Sequence, residues 1–155
     1  MTIIDYRPEI KLENFPYRSK TEGIIIHHTG GGAGGLISTI KNTKNTYHYA
    51  INSNGDIWYL LSDNKRGTHA GRTSINKWQN TQVYPNNPNT VTIGISFIGN
   101  FITTQPTSLA YNACEELILD LIKKFPNIKY LYGHLCVANT SCPGSVDFKQ
   151  FRNLL

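Results

Sequence analysis

Five histidines and three cysteines are the residues of this chain best suited to chemistry: His27, His28, His48, His69 and His134, with Cys114, Cys136 and Cys142. Singly, an imidazole at a strand end is most often a structural group bonded to backbone. The segment "GHLCVANTSCPG" invites another reading, because it places His134 eight residues before Cys142. Catalytic zinc takes three protein ligands from His, Cys and carboxylates and leaves a fourth position for water. A histidine at a strand end, a loop, and a cysteine at a Pro-Gly turn give two donors a workable way to converge. A second chemistry competes for the stretch "IIIHHTGGGAGGL". There Gly30, Gly32 and Gly35 spell G-x-G-x-x-G, the pattern of a dinucleotide phosphate loop. Such a site also needs an acid about 20 positions on, at the end of the second strand, to hold the ribose. Here that strand, 46–52, ends in Asn52, and Asp56 lies beyond the turn of a hairpin. The glycines therefore read as a flexible loop.

Periodicity supplies the elements that must position these groups. Residues 1–22 read as an irregular N-terminal arm, with Pro8 and Pro16 discouraging long elements. "GIIIHHT" (23–29) is a buried strand and 36–45 a short helix with Leu36, Ile37 and Ile40 on one side. Strands 46–52 and 56–61 form a hairpin with Asn54-Gly55 at its turn. Residues 62–90 are polar and turn-rich, long enough for a functional surface loop. "TVTIGISFIGNF" (90–101) is apolar enough for a strand in mid-sheet, buried on both faces. The main helix, 107–125, repeats Leu109, Ala113, Leu117 and Leu121 at four-residue steps, and Pro126 stops it. A strand at 128–134 follows, and Asp147 is placed to cap a last short helix, 148–155.

Composition narrows the function classes. The chain has 155 residues, 39% hydrophobic and 16% charged, which fits one α/β domain with an ordinary core. Its formal charge of +5 is scattered, without the dense basic, aromatic-interleaved patch of a nucleic-acid binder. A mild positive field suits a polyanionic polymer such as a bacterial cell wall equally well. No stretch reaches the length of a membrane span, and the first residues lack the apolar core of a signal peptide. Three cysteines are too few, and odd in number, for a disulfide framework.

Five segments in order, "IIIHHTG", "YHYAINSNG", "GTHAG", "TIGISFIGNF" and "GH…TSCPG", resemble the zinc-dependent N-acetylmuramoyl-L-alanine amidases. These type-2 amidases share their fold with short phage lysozymes and animal peptidoglycan recognition proteins. The resemblance covers residues 18 to 150. It implies a single domain over 1–155, an α/β fold with a central mixed β-sheet flanked by helices. It also implies one Zn2+ per chain and hydrolysis of the amide between N-acetylmuramic acid and L-alanine in peptidoglycan, as in a phage endolysin. Position by position, His27, His134 and Cys142 match the zinc ligands. Tyr47 matches the tyrosine whose hydroxyl approaches the metal-bound water and the scissile carbonyl, and Thr140 a position that helps stabilise the oxyanion. His69 matches a groove residue near the substrate, which leaves His28 and His48 as supporting or packing groups.

Two departures stand out. Some bacterial members carry a glutamate in the central strand, as "IGIE", which can serve as general base; here the residue is Ser96. Cys136 stands two residues after His134, where an acid is frequent, and on an extended strand the two would share a face. Cys136 is therefore a rival third ligand, although the "CPG" turn is the part that matches. From polarity and position, Arg72, Asn76 and Trp78 in the 62–90 loop are expected to contact the stem peptide. The expected partner is peptidoglycan or a muropeptide, bound by a monomer made in a host cytoplasm and acting on the wall, with no nucleic acid and no membrane span. A recognition module that binds muropeptide without cutting it is the rival function. Members that have lost catalysis typically lack the cysteine ligand, and this chain keeps Cys142. Binding of RNA polymerase is a second role among short phage lysozymes, and no residue here speaks for or against it. A glycosidase needs two carboxylates flanking a sugar bond, and none lies in the histidine-bearing motifs.

Overall fold

Three consecutive isoleucines, Ile24, Ile25 and Ile26, cannot alternate between core and water, so their strand must be covered on both faces. A computed structural model, which describes residues 1–71 and 87–155, shows how. They lie within β2 (Gly23–His28), the fifth strand of a six-stranded sheet. Along the chain the strands are β1 (Ile3–Asp5), β2, β3 (Tyr49–Ile51), β4 (Ile57–Tyr59), β5 (Thr92–Phe97) and β6 (Tyr130–Gly133). Their order in the sheet is β1-β4-β3-β5-β2-β6, with β3 and β4 antiparallel and every other pair parallel. The sheet is thus mixed, and helices α1 (Arg7–Ile10), α2 (Leu36–Thr43) and α3 (Ser108–Lys124) complete an α/β domain.

The register of β2 against β5 decides what each face carries. Ile24 and Ile26, with Ile93, Ile95 and Phe97, join the core that includes Leu117, Ile118 and Leu121 of α3. Ile25 and His27 point the other way, level with Gly94 and Ser96 of β5. A slip of one residue would turn His27 into the helix-covered core and present Ile26 in its place. One face of the central strands packs against α3, and the other holds Ile25 in a smaller apolar cluster with Tyr130 and Val137 and carries His27 at its carboxyl end.

Several local expectations need correction. The N-terminal arm is not irregular: β1 extends the sheet beside β4, and Pro8 sits in the first turn of α1, where its missing N–H is harmless. In α3 the buried stripe is Ala110, Ala113, Cys114, Leu117, Ile118 and Leu121, while Leu109 is 58% exposed. The stripe follows the i, i+3, i+4 face, from which Leu109 is rotated by about 100°. The N-cap of α3 is Thr107, whose hydroxyl accepts from the Ala110 N–H at 3.1 Å. Asp147 precedes a 3-10 helix, Phe148–Leu154, but makes no side-chain cap. The strand expected through residue 134 ends at Gly133, and His134–Cys136 form a 3-10 turn. The Asn54-Gly55 hairpin is present, with Gly55 at φ 87° donating to Asn52 O at 2.9 Å.

Candidate metal centre

The site forms at the carboxyl ends of the parallel strands β2 and β6, the edge where ligands of α/β sheets gather. His27 is the fifth residue of β2, and His134 follows directly on β6. Cys142 arrives on a loop tied down at several points. Leu135 N–H donates to Cys142 O at 2.7 Å, and Cys142 N–H to Thr140 Oγ1 at 3.2 Å. Gly144, at φ 65°, lies so close to Phe101 O that a Cβ there would be 2.5 Å from it, which requires glycine in the "CPG" turn. The ligating atoms of His27, His134 and Cys142 all lie within 4.8 Å of one another. Cys136 is not part of this group; on its 3-10 turn it packs against core residues, so the shared-face argument for it fails.

Hydrogen bonds dictate which nitrogen each imidazole offers. His134 Nε2 is 3.0 Å from Ala70 O, and a carbonyl only accepts, so the proton is on Nε2 and Nδ1 is free to ligate. His27 Nε2 is 2.9 Å from His69 Nδ1, and its Nδ1 faces Cys142 Sγ at 3.8 Å. His28 contributes through its backbone: its N–H points at Cys142 Sγ from 3.3 Å, suited to a thiolate, while its ring accepts from Phe101 N–H at 3.0 Å. Burial pushes His27 well below the ordinary imidazole value and lowers His134 as well. Burial also pushes the Cys142 thiol up to about 11, so without a cation the three donors are neutral. Two imidazoles and one thiol that can ionise are a zinc donor set with an open position. Ser96 Oγ, level with His27 on β5, is buried with no hydrogen-bond partner among the described residues, a polar atom left over beside the centre.

Tyr47 packs its ring against His27, with centroids 5.0 Å apart. Burial raises its pKa and its hydroxyl neighbours Ser96, without a bond that satisfies Ser96 Oγ. The phenol is therefore a donor at neutral pH. Thr140 is exposed on the cysteine loop, bonded to the Cys142 backbone. His69 touches a cavity of about 470 Å³ bordered by Tyr47, Thr29, Ile40 and Thr68, yet it is only 7% exposed and both ring nitrogens face inward. His48 is a packing group: its Nδ1 accepts from Gly94 N–H at 3.0 Å and its Nε2 meets Lys65 O at 2.7 Å. Arg72, Asn76 and Trp78 lie outside the described residues. The glycines after β2 crowd nothing among the described residues: a Cβ at Gly31, Gly32, Gly34 or Gly35 would meet none of their atoms within 4 Å.

Sequence reasoning missed the backbone partners, Ala70 O and His28 N–H, because main-chain groups carry no residue signature. It also passed over Gly94, where a Cβ would stand 2.5 Å from the His69 ring. A glycine inside a strand is the signal that was there to be used.

The family model for N-acetylmuramoyl-L-alanine amidase matches residues 17–145. The chain belongs to that family. Among relatives, peptidoglycan-recognition protein SC2 of Drosophila simulans is 32% identical over 134 residues, 83% of this chain and 71% of the relative. The fold is that of the amidase LysC from Clostridium intestinale, with a TM-score of 0.73, 22% identity, and coverage of 99% of this chain and 96% of that one. Peptidoglycan recognition protein LE, solved in complex with tracheal cytotoxin, matches with a TM-score of 0.72 and 18% identity over 98% of this chain and 93% of its own. The amidase family is generally zinc-dependent, and this member carries the His, His, Cys cluster such an ion requires.

Proposed function

We propose that this amidase-family chain binds one zinc ion through His27, His134 and Cys142 and hydrolyses the amide between N-acetylmuramic acid and L-alanine in peptidoglycan. The observation that carries the reading is the convergence of three neutral zinc donors, one of which, His27, packs against Tyr47, a residue that also borders a cavity of about 470 Å³. A bound zinc ion supplies Lewis acidity and lowers the pKa of water to about 7. The protein's own groups do the rest. Tyr47 keeps its proton and donates it as a hydrogen bond to the carbonyl oxygen as negative charge develops, the electrostatic term that usually dominates acyl chemistry. Thr140, exposed on the neighbouring loop, adds a second donor. His28 N–H holds the Cys142 thiolate, and the Ser96 hydroxyl stands beside the phenol. The cavity, walled by hydroxyls and apolar carbons, receives the stem peptide.

A recognition module that binds muropeptide without cleaving it is favoured by two observations, the likeness to recognition proteins and the Ser96 hydroxyl where a carboxylate would serve as base. One paired assay separates the readings. Bound zinc is measured by elemental analysis, and peptides released from murein by mass spectrometry, for the wild type and Cys142→Ser. One zinc per chain with L-alanine-headed peptides, both lost in the variant, supports the amidase. Zinc with murein binding but no released peptide leaves the recognition module, and absence of zinc in the wild type refutes the metal reading.

A further inference from the structure

Behind His27, on the side away from Cys142, a directed chain of hydrogen bonds runs into the protein. His27 Nε2 lies 2.9 Å from His69 Nδ1, and His69 Nε2 lies 3.5 Å from Thr92 Oγ1. Thr92 Oγ1 in turn donates to Pro88 O at 2.8 Å. The far end fixes every proton in the chain. The Pro88 carbonyl only accepts, so Thr92 commits its single proton there and offers His69 lone pairs alone. His69 then carries its proton on Nε2 and presents Nδ1 as an acceptor. That acceptor holds the His27 proton on Nε2 and leaves the Nδ1 lone pair facing Cys142. Without it, a buried neutral imidazole is free to adopt the opposite tautomer, whose Nδ1–H cannot ligate.

The same short segment serves the other imidazole. Ala70 O, one residue on, fixes the His134 tautomer, and Ala70 N–H is itself anchored on the buried Asn89 Oδ1 at 3.0 Å. The His69 ring is seated against the bare backbone of Gly94, where a Cβ would come within 2.5 Å of it. Two ligands at the ends of neighbouring strands, far apart in sequence, are thus oriented by consecutive residues of one tethered segment.

We propose that His69 is a positioning residue of the metal centre, acting through the His27 tautomer rather than on substrate. The proposal rests on the metal reading above. Outer partners of this kind typically set metal affinity by 10–100-fold. The test uses His69→Leu, His69→Asn and Thr92→Val, with two readouts: the His27 tautomer in the metal-free protein by long-range 1H–15N NMR, and zinc affinity by chelator competition.

The wild type is expected to show His27 as the Nε2–H form. His69→Leu should show mixed tautomers and zinc affinity lower by about 10–100-fold. His69→Asn, whose Oδ1 takes the place of Nδ1, should recover both properties, and Thr92→Val, a residue not in contact with His27, should loosen the His27 tautomer and weaken affinity. A single Nε2–H tautomer and unchanged affinity in folded His69→Leu would overturn the proposal. If His69→Leu does not fold, His69→Asn decides, because loss of both the tautomer and the affinity there would also overturn it. A wild type that takes up no zinc refutes the metal reading itself, whereas zinc binding unmoved by all three variants refutes the positioning role alone.

Discussion

Gly94→Ala is the most demanding substitution to ask of this protein, because it adds one methyl group to a face with no room for it. An ideal Cβ at Gly94 stands 2.5 Å from His69 Cγ, 2.7 Å from Nδ1 and 2.8 Å from Cδ2. That is roughly 1 Å inside the 3.5–4.0 Å optimum for carbon contacts. The ring has little space to retreat, since the His48 ring lies edge-on with centroids 5.5 Å away. A retreat of that size takes the 2.9 Å His27–His69 contact past hydrogen-bond range. Overpacking of this kind costs about 1–3 kcal/mol, and in a domain of this size each kcal/mol lowers Tm by about 2–4 °C. The metal-free variant should therefore melt about 2–12 °C lower. Zinc affinity should fall by about 10–100-fold, as for loss of an outer partner. Gly31→Ala is the matched control, because its Cβ meets nothing within 4 Å among the described residues. Calorimetric melts and chelator competition give both quantities. A Gly94→Ala protein with wild-type Tm and zinc affinity would refute the argument that His69 is seated on this glycine.

Tyr47→Phe should keep zinc and fold yet lower the rate of murein cleavage by about 10²–10³-fold, the usual cost of one oxyanion donor; an unchanged rate would remove Tyr47 from the chemistry. Zinc uptake near pH 7 should release about one proton per ion, because burial raises the Cys142 thiol to about 11 while His27 and His134 are already neutral. Calorimetry in buffers of different protonation enthalpy reads that number, and a value near zero or two would contradict it. The metal-free protein should lose stability as pH falls below 6.5, since burial holds His48 at about 3 and His27 and His69 well below their ordinary value. The unfolded chain then binds protons that the native state refuses, at about 1.4 kcal/mol per pH unit for each histidine. A Tm that stays level between about pH 7 and pH 5 would show that these imidazoles are not buried neutral.

Much of the positioning was written locally. The run Ile24–Ile26 followed by His27 encodes a strand buried on both faces with a donor at its carboxyl end, and period-two alternation assigns Ile25 and His27 to one side. The helix stripe from Ala113 to Leu121 and the Asn54-Gly55 hairpin were legible for the same reason, because each depends on residues a few positions apart. Leu109 and Asp147 were misread because a stripe's exact face and a cap's use are settled by what packs against them. The same holds for Pro8, which opens α1 where it was expected to prevent an element.

The resemblance favoured Cys142 through its "CPG" turn, but the rival claim of Cys136 was beyond local pattern to dismiss. The decision turned on a 3-10 turn at His134 that the sequence did not announce and on a contact between residues 115 positions apart. The role of His69 was equally hidden, since its motif fits a groove residue as well as an outer partner, and the difference lies in a contact 42 positions away. Residue types and their spacing therefore specified the strand that carries His27 and suggested the His134–Cys142 pair, while the full donor set and the chemistry came from the resemblance to the amidases. Which donors meet, which nitrogen each presents and what stands behind them followed from packing, because hydrogen-bond direction and close approach exist only once distant segments are brought together.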